Sequence, residues 1–148
     1  MPQPEDFRPG APCWAELYTT DPDRARDFYG GLFGWTAVDG GPEYGGYITF
    51  SAGAHAVAGG MRNAGQSGMP DVWSLYLATP DAKATVDAAV AHGGSVIVPA
   101  MDVMDLGTMA VLTDPSQAAI GAWQAGTHLG FGVVAEPGAP ALTESSPS

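Results

Sequence analysis

"PCWAELYTTDPDRARDFYGGLFGW", residues 12–35, changes period in its middle. Before Thr20 the side chains alternate, with Trp14, Glu16 and Tyr18 on one side of an extended segment and Ala15 and Leu17 on the other. After it, Ala25, Phe28, Tyr29 and Leu32 recur at i, i+3, i+4 and i+7, the spacing of one helical stripe. Asp21 stands where a helix cap belongs, Pro22 suits the first helical position, and Gly34 can end the helix in the left-handed conformation. The stretch predicts a strand over 13–19 followed by a helix. Glu16 is the anomaly. A carboxylate between two aromatic neighbours on an inward side is costly unless paired or solvated; Arg24, Arg26 and Arg62 are its candidate structural partners.

Downstream, three short strands fit near 35–39, 46–51 and 55–61, separated by "DGGPEYGG" and "SAG". The same order then recurs. "VWSLYLATPD" opens a second unit, with Thr79 as cap, Pro80 as first helical residue, and Ala82, Val86, Ala89 and Val90 on one face. Gly93 and Gly94 stop this helix, and strands fit at 95–98, 107–113 and 118–124. Each βαβββ unit, of roughly fifty to sixty residues, is too small to bury its sheet alone. The expectation is an α+β fold: two βαβββ modules, 11–62 and 70–126, forming one domain with an open eight-stranded curved sheet around a concave pocket and helices outside. "NAGQSGMPD" at 63–71 reads as a flexible linker. Residues 1–10 read as a flexible N-terminus, and 127–148 as a C-terminal extension, largely a disordered tail.

Sixteen acidic against five basic side chains give a formal charge of −11, which argues against nucleic acid or an anionic membrane as partner. Cys13, the single cysteine, cannot form an internal disulfide and reads as a small core residue. No basic start leads into an apolar run, and no apolar stretch approaches the ~20 residues that span a bilayer. A soluble, cytoplasmic protein is expected.

"TDPDRARDFYGGLFGW" and "DVMDLGTMAVLTDPSQAAIGAWQ" together make the chain, over residues 11–125, resemble the vicinal oxygen chelate superfamily of glyoxalase I, bleomycin-resistance proteins and extradiol dioxygenases. Metal-dependent members take four ligands, usually His and Glu, two from each module. The resemblance puts these positions at Trp14, counted back from Asp21; at Ser74, counted back from Asp81; at Gly121, counted forward from Asp114 and Pro115; and within "HAVAGGM", 55–61. No ligand of the usual kind survives there. Aligning Pro22 with Pro80 instead pairs Glu16 with Ser74 and leaves the same residues inward, because the strand period is two. Glu16 and the distant His55 are then too few to hold a catalytic metal. The expectation is the metal-free branch, with no metal and no other cofactor.

Strand parity puts Trp14, Glu16, Tyr18, Ser74, Tyr76, Ala78, Ala119, Gly121 and Trp123 on the concave face, and Leu17, Leu75 and Leu77 under the helices. Met61, Met101, Met104 and Met109 fall where they could rim the opening. An aromatic wall over a glycine floor suits a flat, conjugated molecule. The expected ligand-binding set is Trp14, Glu16, Tyr18, Tyr47, Ser74, Tyr76, Met101, Met104, Met109, Gly121 and Trp123. His92, at a helix end, reads as structural. The function expected is non-catalytic binding that sequesters an aromatic or polycyclic drug or natural product, as in antibiotic resistance. The resemblance also implies a homodimer. One alternative is a metal-independent isomerase, hydratase or cyclase with Glu16 as acid–base group and Tyr18 or Tyr76 as proton donor. Others are a metal-dependent lyase or dioxygenase, and an interaction module closed by a partner chain.

Overall fold

The computed structural model describes residues 8–41, 46–65 and 70–130. Its strands are β1 (Pro12–Thr19), β2 (Thr36–Asp39), β3 (Ile48–Ala52), β4 (His55–Arg62), β5 (Val72–Ala78), β6 (Ser95–Val103), β7 (Gly107–Thr113) and β8 (Ala119–Ala125). The helices are α1 (Pro22–Phe33) and α2 (Ala82–Ala91). Contacts divide these residues into two units, Trp14–Trp73 and Ser74–Gly130, the second also holding residues 8–13.

Both units have one topology. In the first, β2 and β3 pair antiparallel, as do β3 and β4, and β4 runs parallel to β1. In the second, β6 and β7 pair antiparallel, as do β7 and β8, and β8 runs parallel to β5. The chain is therefore α+β, built from two βαβββ modules, as the repeat in the sequence predicts.

The first helix starts and stops as its sequence dictates. The Asp21 carboxylate accepts the Arg24 N–H at 3.1 Å, Pro22 opens the helix, and Gly34 ends it at φ 72°. The second differs from expectation. Asp81 caps it, accepting the Ala84 N–H at 3.1 Å, and the helix begins at Ala82. Thr79 is engaged elsewhere, its hydroxyl 2.7 Å from that of Thr85, and Pro80 precedes the cap. Cap and proline have thus changed places between "TDPD" and "ATPD".

Two further corrections concern packing. On α1, Ala25 and Tyr29 pack against the core of Leu17, Ile48, Phe50, Val57 and Ala58. Phe28 and Leu32, expected on the same buried stripe, are 59% and 56% exposed. Aromatic rings have filled the space beneath the helix. Tyr29 lies 5.4 Å from Trp35 and 6.1 Å from Phe50 between ring centroids, and its hydroxyl accepts the Trp73 indole N–H at 2.9 Å. The strand expected to end at Val98 runs on to Val103, its pairing irregular on both sides of Val98. Pro99 has no N–H for the ladder, so it disturbs the strand without ending it.

The core of the second unit sets small residues beside the buried rings of Tyr76 and Trp123. Ala82, Ala110, Leu112 and Ala122 are buried, and Ala110 lies opposite Ala122. Leu75 and Leu77 are half-buried. Cys13 is fully buried, its Sγ 3.5 Å from the Tyr76 carbonyl, and burial pushes the thiol pKa up to about 12. It stays a thiol at neutral pH, a small core residue and no nucleophile.

Most of the expected flexible N-terminus and C-terminal tail, and Gln66–Met69 of the linker, lie outside the described residues. What is described there is tied down. Gly10 N–H reaches the Ala78 carbonyl at 2.8 Å, and Thr127 and His128 donate to Asp105 and Leu106 at 3.0 and 3.1 Å. The extension beyond 126 therefore begins as ordered chain.

Candidate functional site

The register of β1 against β4 sets Glu16 beside Gly59. A side chain at residue 59 would collide with the phenol of Tyr47, which lies where that Cβ would be. The Tyr47 hydroxyl accepts the Trp14 indole N–H at 2.9 Å and donates to Glu16 Oε2 at 2.8 Å. Trp14 is 5% exposed, and Glu16 and Tyr47 are half-buried. The Glu16 carboxylate thus meets a phenol held in place by an indole.

The second unit repeats the pattern with different chemistry. The two cap residues, Asp21 and Asp81, align Trp14 with Ser74 and Glu16 with Tyr76. Tyr76 faces Gly121 across the β5–β8 pairing, as Glu16 faces Gly59. The Tyr76 ring lies directly over Gly121. Trp123 covers a third glycine: a Cβ on Gly107 would sit 2.5 Å from its ring. The Trp123 N–H donates to the His128 carbonyl at 2.8 Å, and the two rings meet edge-on with centroids 5.8 Å apart. Burial lowers the His128 pKa, so its imidazole is neutral at pH 7.

Of the expected ligand-binding residues, Trp14, Glu16 and Tyr47 form one cluster, and Tyr76 with Gly121 a second. Met109 pairs with both Trp123 and Met101, making a third row. Tyr18 sits opposite Met61, one step along β1 from the Glu16 cluster, and Ser74 is half-buried on β5. Met101 and Met104 are 50% and 57% exposed, Met104 in a tight turn at φ 50°. Sequence reasoning missed Gly59, Gly107 and His128. The signal for the glycines was their isolation within strands, where a bare backbone admits close approach.

The family positions for a metal do not fit one. They carry an indole, a hydroxyl and a glycine, and the β4 residue opposite Glu16 is glycine too. Among the described residues, no three His, Cys, Asp or Glu side chains come together as a metal would require.

A polar clasp closes the first unit beside an open groove of about 430 Å³, lined by residues that include Leu17, Thr20, Arg24, Phe28 and Asp71. The Asp71 carboxylate accepts the Thr20 N–H at 3.1 Å, the Thr20 hydroxyl at 2.9 Å and the Asn63 amide at 3.1 Å. These bonds, the Thr20 N–H first, lower its pKa. A carboxylate whose pKa falls on folding adds stability above its unfolded pKa, and that stability is lost as pH falls through the folded value. Asp71→Ala is therefore expected to lower the melting temperature near neutral pH, with the gap to wild type closing below about pH 4. Melting curves across pH check this; a gap that persists unchanged into acid would assign it to packing.

A family model described as the glyoxalase/bleomycin resistance protein/dioxygenase superfamily matches residues 13–121. The chain is 41% identical over 142 residues to CFP32 of Mycobacterium tuberculosis, provisionally named a glyoxylase, covering 93% of this chain and 54% of that protein. It is 41% identical over 152 residues to the anthracycline biosynthesis protein DnrV of Streptomyces peucetius, covering 93% of this chain and 55% of that one. The chain thus spans about half the length of these relatives. The fold is that of the Mn(II)-bound glyoxalase from Novosphingobium aromaticivorans, with a TM-score of 0.54 at 15% identity over 94% of this chain and 43% of that one. Fold, repeat and family model agree: the chain belongs to the glyoxalase/bleomycin resistance protein/dioxygenase superfamily.

Proposed function

We propose that this chain is a non-catalytic, metal-free member of its superfamily that binds and sequesters an aromatic or polycyclic small molecule. The observation that carries this reading is the close approach of aromatic side chains to strand glycines: the hydroxyl end of Tyr47 at Gly59, the Tyr76 ring at Gly121 and the Trp123 ring at Gly107. Aromatic side chains brought close to bare backbone are the kind of group on which a planar molecule gains by stacking. Relatives named for anthracycline biosynthesis support a fused-ring ligand. The ligand-binding set is the one expected above, with Trp14, Tyr76 and Trp123 as stacking surfaces.

The working form is a homodimer in the cytoplasm, without nucleic-acid or membrane partners. Support for the dimer comes from the apolar face that α1 leaves open at Phe28, Leu32 and Phe33, and from relatives about twice the length of this chain. The acidic charge of −11 speaks against polyanionic partners.

Calorimetry against a panel of polycyclic aromatic natural products tests the binding. Saturable uptake of one ligand per chain is expected, weakened about tenfold by Trp123→Ala, since a lost aromatic stack is worth about 0.5–1.5 kcal/mol beyond its buried area. Failure of every flat ligand to bind would remove the proposal. Light scattering on the eluted protein reads the dimer directly, as twice the chain mass.

One observation favours a second reading, a metal-independent isomerase, hydratase or cyclase. The Tyr47 hydroxyl donates to Glu16, so the carboxylate has a phenolic proton beside it, supplied by Tyr47 where Tyr18 or Tyr76 was expected. A Glu16→Gln protein that binds a ligand wild type converts, and leaves it unconverted, would favour catalysis.

A further inference from the structure

We infer that the Trp14–Glu16 pair above Gly59 is a recognition site for an aromatic hydroxyl, and that Tyr47 occupies it until a hydroxylated ligand takes its place. The inference deepens the aromatic-ligand reading and rests on it. Its ground is the chemistry of the Tyr47 oxygen. That single atom accepts from Trp14 at 2.9 Å and donates to Glu16 at 2.8 Å, over a backbone that leaves no room for any side chain at residue 59.

Only a hydroxyl answers both groups. An ether or carbonyl oxygen could accept from the indole, but would turn lone pairs toward the carboxylate with no proton between them. An arylamine could donate to Glu16, yet its nitrogen is a poor acceptor for the indole N–H. A hydrogen bond to a charged group is among the stronger ones, and leaving it unmade costs more than making it gains. The pair therefore discriminates by hydroxyl, while the bare backbone at Gly59 lets a hydroxyl come as close as that of Tyr47 does.

Tyr47 can yield the position. It precedes β3, and its carbonyl accepts the Gly40 N–H at 2.8 Å, a backbone bond that rotation of the side chain leaves intact. A ligand phenol can replace the bonds that Tyr47 makes to Trp14 and Glu16, which offsets the polar cost of the exchange. Stacking area on the larger ligand then decides it.

The test compares four probes of one shape: 2-naphthol, 2-methoxynaphthalene, 2-naphthylamine and naphthalene, titrated against tryptophan fluorescence. The naphthol is expected to bind about tenfold tighter than the other three. Tyr47→Phe keeps the ring but surrenders its hydrogen bonds, so it should bind naphthol tighter than wild type. Trp14→Phe and Glu16→Ala should erase the hydroxyl preference. If all four probes bind alike and Tyr47→Phe changes nothing, the inference is wrong while aromatic binding stands. If no probe binds wild type, the broader reading is in doubt, and Tyr47→Ala decides this one separately. Its melting temperature should rise with p-cresol and not with toluene; equal shifts would overturn the inference. Should Tyr47→Ala not fold, Tyr47→Phe with naphthol decides: preferential binding supports the site, and none refutes it.

Discussion

Phe50→Ala is expected to destabilise the first unit by about 3–5 kcal/mol, the usual cost of emptying a large aromatic site. Phe50 is 1% exposed and lies in the cluster with Leu17, Ile48, Val57 and Ala58. Its ring is 5.5 Å from Trp35 and 6.1 Å from Tyr29, centroid to centroid, so the core loses edge contacts as well as buried area. The neighbours cannot readily collapse into the gap, because Tyr29 is also held by its bond to Trp73. Urea unfolding measures the loss, which should appear as a lower midpoint at unchanged slope. A cost below about 1 kcal/mol would mean that the rings under α1 do not form the core described here.

The second large effect separates two glycines that look alike in sequence. Gly121→Ala should cost about 1–3 kcal/mol, as overpacking does. The added methyl would meet the root of the Tyr76 ring, including its Cγ, and Tyr76 is 5% exposed. A ring cannot escape a collision at its base by rotating its tip. At Gly59 the closest obstacle is the far end of Tyr47, a half-buried side chain whose tip can swing away, with the Trp14 indole nitrogen next at 3.0 Å. Gly59→Ala should therefore cost less in stability while expelling Tyr47 from Trp14 and Glu16. The readouts are the denaturation midpoints and the tryptophan emission, which Gly59→Ala alone should shift through Trp14. Equal destabilisation by the two substitutions would contradict this asymmetry.

Much of the fold was legible because its determinants are local. The Asp21 cap, Pro22 and Gly34 each act within one helical turn, and the repeat of strand, helix and three strands needs no long-range knowledge. Strand parity alone set Trp14 and Glu16 on one side and Leu17 on the other, where the core cluster holds it. The failures were of range and competition. Thr79 and Asp81 are both good caps, and the local bond of Thr79 to Thr85 decides between them. Phe28 and Leu32 have the right spacing for a core, but Trp35, Phe50 and Trp73 had already taken the space, and nothing within α1 says so.

The candidate site was half legible for the same reason. Glu16 announced itself as a misplaced carboxylate, but its phenolic partner is 31 residues away. Of the arginines proposed for it, Arg24 and Arg26 are nearer in sequence and Arg62 is farther. The glycine beneath Tyr76 became meaningful only when the β5–β8 pairing set the two side by side, and those near Tyr47 and Trp123 only in three dimensions.

Sequestration by stacked rings is tested most directly by mass spectrometry of what the protein releases. The chain is incubated with a hydroxylated polycyclic aromatic, washed, denatured and analysed for ligand and for divalent metal. One unchanged ligand per chain, with no stoichiometric metal, is the expected result. A converted product, or a divalent ion retained in proportion to protein, would contradict it.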